Sequence, residues 1–380
     1  MAIVAPNAAA EDQTGDEWMV DRFEVLRSGV GKSQKIIEVG PAHNAVFPKR
    51  DGWHAYSIDH TDQAGLRTKY RTDLSVDPSL IEPVDFVCAD GDLSAAVPVE
   101  HHGTFDVFVA SHVIEHTPDL VAFFSTAEAL TKPEGRVILA IPDKRVCFDY
   151  YRPISTVGEV LEAFHQHRTS HSRKTLWDFI FHCALKRKQL GWARNSQDMP
   201  ELAFKLADAS ASAAKSDSGE YVDAHNWIFI PASFELIVTC LAKLGLTDWQ
   251  IAQREIAETT EFYVSMGRGG KAAISRMSEE EFSSLQHRLL EAVMLELDDQ
   301  SRQMPMSIGA SAERRLQAVE ADRQCQVVEA PELQRQALEA EARVERLQAD
   351  LDAAKTLIAA MRATRTWKMR DRVLSLIGAI

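Results

Sequence analysis

The sequence predicts an α/β fold built on a doubly wound, mostly parallel sheet of seven strands. Short apolar runs alternate with segments of helical periodicity from residue 35 to residue 142. Most of these runs are apolar at successive positions, as strands must be when helices cover both faces of a parallel sheet. Two further apolar runs after residue 245 are predicted to form a pair of strands that completes the sheet. The right-handed crossover rule for parallel strands then gives the doubly wound arrangement.

Seven strands and three main helices account for this pattern. The strands are expected at 35–40, 54–59, 84–91, 105–111, 136–142, 246–253 and 260–268. The helices are expected at 16–26, 119–135 and 231–245. The second helix should stop at Pro133 and Gly135, and the third should end at its glycine.

Residues 146–222 break this alternation. They are rich in His, Arg, Lys and aromatic residues and then in Ala and Ser, and we interpret them as a helical insertion over the carboxyl edge of the sheet. The last part of the insertion, 207–220, consists mainly of small and polar residues. It is predicted to be a mobile loop.

The C-terminal part is predicted to be a helical tail. A helical linker is expected over 275–330 and a coiled-coil helix over 331–365, because apolar positions there alternate spacings of four and three. These positions are Leu333, Ala337, Ala340, Val344, Leu347, Leu351, Ala354, Ile358 and Met361. The seam predicts a homo-oligomer, with a single solvated helix as the alternative. Residues 366–380 form a basic segment with an apolar end, suited to a membrane surface or a partner protein.

Charge and composition argue against several classes of protein. The formal net charge is −14, which gives no field suited to a nucleic acid backbone. Residues 1–15 lack the features of a secretory signal and are expected to be disordered, and no run is long and apolar enough to span a bilayer. The five cysteines and the histidines lack metal-site spacing. We therefore expect a soluble cytoplasmic protein with free thiols and no bound metal.

A glycine after the first strand and an acid after the second carry the strongest functional signal. Gly40 lets the backbone approach a nucleoside closely, and Asp59 can accept both ribose hydroxyls. An NAD site uses the same acid but also needs further glycines, at a helix N-terminus that holds the pyrophosphate. Ala42 and Asn44 stand in place of those glycines. A nucleoside cofactor without phosphates therefore fits this turn better.

Several motifs resemble the class I S-adenosylmethionine-dependent methyltransferases, whose fold is Rossmann-like. They are E-V-G-P at 38–41, Asp59, A-D-G-D at 89–92, S-H-V-I-E-H at 111–116 and K-P-E-G-R-V at 132–137. EVGPAHNAVFPK, IPDKRVCFDYYRP, HRTSHS and HNWIFIPASF are similar to a bacterial group found beside glycosyltransferases for surface polysaccharide. The resemblance implies a methyltransferase domain over 16–270 with S-adenosyl-L-methionine as its cofactor.

The resemblance also implies roles for individual residues. Glu38 and Gly40 would frame the methionine end of the cofactor, and Asp59 would bind its ribose. The other cofactor-binding residues are expected to be Pro41 and Asn44 in the loop, Asp90 and Gly91 at the adenine, and Ser111 and His112 after the fourth strand.

A hydroxyl acceptor is a weak nucleophile and needs help in losing its proton. His225 and His116 are the candidates for the catalytic base, with a structural histidine as the alternative for each. Asp143 lies near the carboxyl edge of the sheet and is a candidate for binding the acceptor. Arg168 and His171 suit an anionic group of the acceptor, although the start of a charged surface helix explains them equally well.

The function that follows is O-methylation of a sugar or glycan precursor in cell-surface polysaccharide biosynthesis. A small-molecule methyltransferase is the alternative among enzymes. A non-catalytic scaffold, whose α/β domain only senses the cofactor, is the alternative from another class. The acceptor is expected to be a carbohydrate or another small molecule, and the tail is expected to contact a membrane surface or a glycosyltransferase assembly.

Overall fold

The computed structural model describes residues 21–74, 76–89, 91–194, 198–218, 222–257, 260–303 and 342–356. The chain forms two compact units, the first comprising 1–196 and 200–301 and the second 197–199 and 302–380. All the strands described lie in the first unit. In the second, residues 342–356 are helical. Asp90, the segments 1–15 and 366–380, and most of the predicted coiled coil lie outside the described residues.

Strands and helices alternate along the first unit. The strands are β1 (Ile36–Val39), β2 (Ala55–Asp59), β3 (Phe86–Val87), β4 (Phe105–Ser111), β5 (Thr131–Pro142), β6 (Ala184–Leu185), β7 (Glu201–Leu202), β8 (Gln250–Ile256) and β9 (Glu261–Gly267). The helices are α1 (Arg22–Arg27), α2 (Gln63–Lys69), α3 (Leu93–Ala96), α4 (Leu120–Leu130), α5 (Val157–His165), α6 (Arg173–Phe181), α7 (Leu206–Ala214), α8 (Pro231–Lys243), α9 (Gly270–Ser275) and α10 (Glu279–Gln303).

Seven strands form one sheet in the order β3-β2-β1-β4-β5-β9-β8. The first five pair in parallel, whereas β9 runs antiparallel to both β5 and β8. The predicted seven-stranded, mostly parallel sheet is therefore confirmed. Because β1 lies between β2 and β4, the connections that leave β1 and β4 diverge. Sheets of this type bind ligands outside the carboxyl ends of the strands at such a point.

The two faces of the sheet pack into separate apolar cores. On β1, Ile37 and Val39 belong to a core that includes Phe124 of α4 and Phe234 of α8. Ile36 points to the other face and packs with Leu26 of α1 and its neighbours. A strand buried on both faces has to be apolar at successive positions, which explains the continuous apolar runs in the sequence.

The end of the insertion differs from its prediction. The segment 207–220 contains most of α7 instead of being a mobile loop throughout, and this helix buries Ala209 and Ala213. Alanine has the highest helix propensity, and alanines four residues apart give the helix an apolar stripe. The abundance of Ala and Ser in this segment therefore signalled a helix rather than a loop.

The end of α4 also differs from its prediction. The helix ends at Leu130 and β5 begins at once with Thr131, so Pro133 and Gly135 lie within the strand. A register shift in the pairing of β4 with β5, where Phe105 pairs with Thr131 and Val107 with Arg136, accommodates the extra residues of β5. Proline and glycine are tolerated at such an irregularity because the regular hydrogen-bond ladder is interrupted there.

The structure also describes four cysteines and the helices that could be tested as membrane spans. Cys88, Cys147, Cys183 and Cys240 are buried, and Cys147, Cys183 and Cys240 are free thiols. None of the helices in the described part of the chain has the length and apolar character needed to cross a lipid bilayer.

The aromatic core around α8 should dominate the stability of the first unit. Phe234 is fully buried and contacts the rings of Phe124, Phe229 and Phe262. We expect Phe234→Ala to lower the free energy of unfolding by about 3–5 kcal/mol in denaturant titrations, because it leaves a cavity. Phe181→Ala is the matched control, since Phe181 is 38% exposed and its truncation should cost far less. Equal costs for the two variants would contradict this assignment of the core.

Candidate active site

The loop after β1 begins with a glycine that the geometry requires. Gly40 has a φ of +63°, in the left-handed region that side chains other than glycine rarely adopt. A Cβ at this position would lie 3.0 Å from Cγ2 of Val113, which follows β4. The loops after β1 and β4 therefore touch at the carboxyl edge. The Asn44 amide donates to the Pro41 carbonyl at 2.8 Å, which turns the loop back toward the sheet.

Glu38 holds the far end of this loop. Its carboxylate accepts hydrogen bonds from the backbone amides of Val46 at 2.6 Å and Phe47 at 3.0 Å. Burial raises the pKa of Glu38 to about 7, against the lowering effect of these two bonds. The carboxylate therefore positions the loop, and its predicted role in framing the methionine end of the cofactor stays a prediction.

Asp59 ends β2 beside the same loop. One of its oxygens accepts from the backbone amide of His60 at 2.8 Å and lies 2.6 Å from Nδ1 of that histidine. The other oxygen accepts a long hydrogen bond of 3.3 Å from the Ala42 amide. A carboxylate oxygen with only one long bond keeps lone pairs for a further donor. The side chain is thus suited to accept ribose hydroxyls.

The connection between β1 and β2 contains no α-helix, and the structure describes all of it. The only helical turn is a short 3-10 turn at Lys49–Asp51. A pyrophosphate would need the N-terminus of a helix directly after β1. The glycine turn and the free lone pairs of Asp59 therefore fit a nucleoside without a pyrophosphate.

The segment after β4 is fixed by a buried carboxylate on β9. Glu261 accepts two hydrogen bonds from Arg22, at 2.8 and 2.9 Å, and one from the Tyr263 hydroxyl at 2.7 Å. Nε2 of His112 lies 2.6 Å from the same carboxylate. Arg22 also donates to the Ser111 hydroxyl at 2.7 Å. Ser111 and His112 therefore lie at the carboxyl edge as predicted, but in a network of charges that holds them in place.

His116 and His225 come together although they are far apart in the chain. Their rings meet edge to face, with centroids 4.7 Å apart. Nδ1 of His116 lies 2.9 Å from Asp223, and Nδ1 of His225 lies 2.5 Å from Asp149. The Nε2 atoms of both rings face one oxygen of Glu115, at 3.8 and 3.9 Å.

The ionisation of these groups follows from their pairing. Burial alone would raise the pKa of Asp149, but the charges of His225 and Arg152 lower it to about 2. For His116, burial alone would lower the pKa, while Asp223 and Glu115 raise it above its usual value. His116 is the more accessible of the two imidazoles, with 22% of its side chain exposed against 4% for His225.

His171 and Tyr70 connect this cluster with the rest of the edge. Burial, together with the charge of His116, lowers the pKa of His171 to about 4. The pKa of Tyr70 is raised to about 12 by burial and by the charges of Asp59 and Asp223. Tyr70 therefore lies within electrostatic range of both carboxylates. The predicted ribose acid and the histidine cluster share one end of the sheet.

Three other predicted residues lie outside this cluster. Asp143 is fully buried, and its carboxylate accepts from Arg145 at 2.6 and 2.9 Å and from Arg194 at 2.7 Å, so it holds a loop instead of reaching an acceptor. Arg168 binds Gln166 and Glu162 after α5. Gly91 is exposed, with a φ of +84°.

Sequence reasoning missed the acids that organise the site. Glu115 lies in S-H-V-I-E-H directly before His116, and Asp223 stands two residues before His225, just outside HNWIFIPASF. Asp149 lies in the segment IPDKRVCFDYYRP. The closeness of Glu115 and Asp223 to these histidines in the sequence could have revealed them as members of the site. Nothing in the sequence indicated Glu261 and Arg22, because they reach the site only through contacts between residues far apart in the chain.

Comparisons with known proteins support this description. Residues 19–193 match the model of a family described as a methyltransferase domain. A search of curated protein sequences found no match. Among solved structures, an S-adenosylmethionine-dependent methyltransferase from Mesorhizobium loti shares 12% identity with a TM-score of 0.35, over 65% of this chain and 98% of that one.

Two further structures have similar scores. The CcbJ methyltransferase from Streptomyces caelestis shares 10% identity with a TM-score of 0.33, over 67% of this chain and 100% of that one. A protein from Rhodobacter sphaeroides described as a Zn-dependent alcohol dehydrogenase shares 11% identity with a TM-score of 0.39, over 66% of this chain and 91% of that one. We draw no conclusion about function from likenesses of this size.

The carboxyl edge of the α/β sheet holds the glycine turn and the acid that a nucleoside cofactor without phosphates requires. The family match indicates that residues 19–193 belong to a methyltransferase domain, with S-adenosylmethionine as its methyl donor. The strand order, with its antiparallel β9, agrees with the class I fold of these enzymes.

Glu261 should make the stability of this edge sensitive to acid. Burial alone would raise its pKa, but His112 and Arg22 hold the pKa well below its usual value. A lowered folded-state pKa contributes stability above the unfolded value of about 4.3 and loses it as the pH falls. We expect Glu261→Gln to cost about 3–5 kcal/mol at pH 7 and to weaken the loss of stability below about pH 4.3.

The measurement is the free energy of unfolding by denaturant between pH 3 and 7. Glu235→Gln is the control, because the ion pair of Glu235 with Arg254 is partly exposed and should contribute at most about 1 kcal/mol. Parallel pH profiles for Glu261→Gln and the unmodified protein would exclude the proposed role of Glu261.

Proposed function

We propose that the enzyme methylates a hydroxyl of a sugar or glycan precursor in the biosynthesis of a cell-surface polysaccharide. The observation that carries this proposal is the convergence of His116 and His225 beside the donor side of the sheet edge. A hydroxyl needs such groups because it is a weak nucleophile until its proton is removed. The resemblance of IPDKRVCFDYYRP, HRTSHS and HNWIFIPASF to enzymes found beside glycosyltransferases supports the choice of a carbohydrate.

The donor side is assigned to the residues around the loop after β1. Asp59 would accept hydrogen bonds from the ribose hydroxyls, and Gly40 would allow the close approach of the methionine part. The rest of the cofactor pocket would be formed by Pro41, Asn44 and Gly91. The boundary between the cofactor and the acceptor would be formed by Ser111 and His112. Glu38 would act indirectly by holding the loop through Val46 and Phe47.

The acceptor side is assigned to the histidine cluster. S-adenosylmethionine supplies a methyl group whose bond to the sulfonium breaks with its electron pair staying on sulfur, while a lone pair of the hydroxyl oxygen forms the new bond to carbon. His116 and His225 would assist the loss of the hydroxyl proton. Asp149 and Asp223 would keep their rings oriented through Nδ1. Alignment of the two substrates at this edge would supply much of the remaining rate.

The location and partners of the protein belong to the same proposal. A cytoplasmic enzyme would meet activated sugar precursors before their export. The helical tail would form a homo-oligomer or contact a glycosyltransferase assembly at the membrane surface. The structure describes two helical parts of this tail, α10 (Glu279–Gln303) in the predicted linker and residues 342–356 in the predicted coiled coil.

The assignment of Asp59 can be tested by binding alone. We expect Asp59→Asn to weaken S-adenosylhomocysteine about 10- to 100-fold, since hydrogen bonds to a charged acceptor contribute about 1.5–3 kcal/mol. Isothermal titration calorimetry of the purified chain measures the effect. Asp51→Asn is the control, because Asp51 is exposed and lies in the turn just before β2, beyond the residues that Glu38 and Asp59 hold. Unchanged affinity in Asp59→Asn would remove Asp59 from the cofactor site.

The acceptor and the histidines can be tested together. We expect tritium from the methyl group of S-adenosylmethionine to enter an O-methyl sugar when the enzyme is incubated with a panel of UDP- and GDP-sugars. His225→Asn should lower this rate about 10²- to 10⁴-fold while leaving the affinity for S-adenosylhomocysteine unchanged. His102→Asn, which changes a histidine bound to the Val97 carbonyl, is the control.

The outcomes separate the alternatives. Methyl transfer only to a small molecule that is not a sugar would favour a small-molecule methyltransferase. Binding of the cofactor without transfer to any component of a cell-envelope extract would favour a scaffold. A His225→Asn enzyme with full activity would exclude that histidine from the chemistry.

A further inference from the structure

The carboxylate of Glu115 has surroundings unlike those of the other buried acids at this edge. The residue is 1% exposed, and neither oxygen takes part in a hydrogen bond with any residue that the structure describes. Instead, three imidazole nitrogens surround Oε1 at distances too long for hydrogen bonds. They are Nδ1 of His112 at 3.6 Å, Nε2 of His116 at 3.8 Å and Nε2 of His225 at 3.9 Å. A buried carboxylate without a partner is costly, so this arrangement points to a ligand.

In His116 and His225, the partner of Nδ1 determines whether Nε2, the nitrogen that faces Glu115, carries a hydrogen. Nδ1 of His116 lies 2.9 Å from a carboxylate oxygen of Asp223, and Nδ1 of His225 lies 2.5 Å from one of Asp149. An ionised carboxylate only accepts, so His225 carries its N–H at Nδ1. The contact of His116 with Asp223 is an ion pair without hydrogen-bond geometry, and the negative charge of Asp223 favours a proton at Nδ1 of that ring. In the neutral imidazole, Nε2 then presents a lone pair. Two lone pairs and a carboxylate therefore converge in a buried space, and they repel one another unless a cation lies between them.

We propose that Glu115, His116 and His225 bind a divalent first-row transition metal ion. Their ligating atoms all lie within 4.8 Å of one another. In a tetrahedral site with bonds of about 2.1 Å, ligand atoms are separated by roughly 3.4 Å. The two imidazole nitrogens lie 3.8 and 3.9 Å from Glu115, and all the ligand atoms lie within 4.8 Å of one another, so side-chain movements would have to close the set around an ion. Two imidazoles and one carboxylate suit ions such as Zn²⁺, Mn²⁺ and Co²⁺, and leave positions open for a substrate.

The second layer of the site supports the same conclusion. Histidine ligands of metals usually donate their other N–H to a carboxylate, which fixes the tautomer and orients the ring. Asp149 provides this contact for His225, and Asp223 is the ion-pair partner of the corresponding nitrogen of His116. Asp149 is itself held by Arg152 at 3.0 Å. Spacing along the chain could not reveal this set, because the fold brings His225 to the S-H-V-I-E-H segment from a distant position.

The consequence for catalysis rests on the proposed function. A hydroxyl of the acceptor bound at an open position of the metal would lose its proton more readily, as metal-bound water does when its pKa falls from 15.7 to about 7 on zinc. The proton would pass to water, and the oxygen would keep the lone pair that forms the bond to the methyl carbon. His116 and His225 would then assist the reaction by holding the metal instead of accepting the proton directly.

The test measures metal binding without either substrate. The untagged full-length chain is treated with EDTA, dialysed and titrated with Co²⁺, and binding is followed by visible absorption and calorimetry. We expect one Co²⁺ per chain and ligand-field bands that indicate nitrogen and oxygen ligands. Asp149→Asn should weaken binding about 10- to 100-fold, and Glu115→Gln should weaken it further. Glu296→Gln is the control, because this acid contacts Arg145 and the Ala232 amide outside the cluster.

Two outcomes would overturn the proposal. One is the absence of Co²⁺ binding to a chain that still binds S-adenosylhomocysteine, which would mean that protons alone occupy the cluster. The other is equal affinity in Glu115→Gln and the unmodified chain, which would mean that the ion binds elsewhere. If Glu115→Gln fails to fold, His116→Gln replaces it, since His116 is partly exposed. Metal binding without methylation of any sugar would leave the metal site standing and reject the proposed acceptor.

Discussion

The contact between Gly40 and Val113 is the constraint on which the site depends. It brings together the loops after β1 and β4, whose strands are neighbours in the sheet but whose connections diverge. A side chain at position 40 would push the two loops apart, and no helix between β1 and β2 is present to support the first loop. Glu38 takes over that support by binding two amides at the far end of the loop. The shape of the loop after β1 therefore depends on the absence of a Cβ at Gly40 and on the buried carboxylate of Glu38.

Buried charge is concentrated at this edge, and each acid is stabilised in a different way. Glu261 is neutralised by Arg22 and His112, and Asp149 by Arg152 and His225. Such pairs stabilise a fold only when every charge has a partner, because the desolvation of an isolated ion exceeds the energy of most contacts. Glu115 is the exception, with imidazoles near it but no hydrogen bond among the described residues. An exception of this kind is informative because the neighbouring acids are so completely satisfied.

The sequence predicted the parts of the molecule that depend on local pattern. The seven strands followed from apolar runs and turn residues, and Gly40 and Asp59 followed from their positions after β1 and β2. His116 and His225 were singled out from their motifs, yet nothing in their spacing showed that they meet. Long-range pairing also decided the role of Asp143, whose partner Arg194 comes from the insertion. The prediction of a loop at residues 207–220 was wrong for a local reason, because small residues favour a helix when alanines repeat at helical spacing.

The division of the site between sheet and insertion explains how one fold can serve a particular acceptor. The proposed donor side uses residues on or directly after β1 and β2, together with Gly91 after β3, where the geometry of the sheet leaves little freedom. The acceptor side combines the segment after β4 with residues of the insertion and its C-terminal end, among them Asp149, His171 and Asp223. Because loops over a rigid sheet can change without disturbing its core, the proposed function assigns acceptor specificity to this second group. The same physical separation lets the histidine cluster carry its own chemistry, since the buried charges that orient it are independent of those that hold the loop after β1.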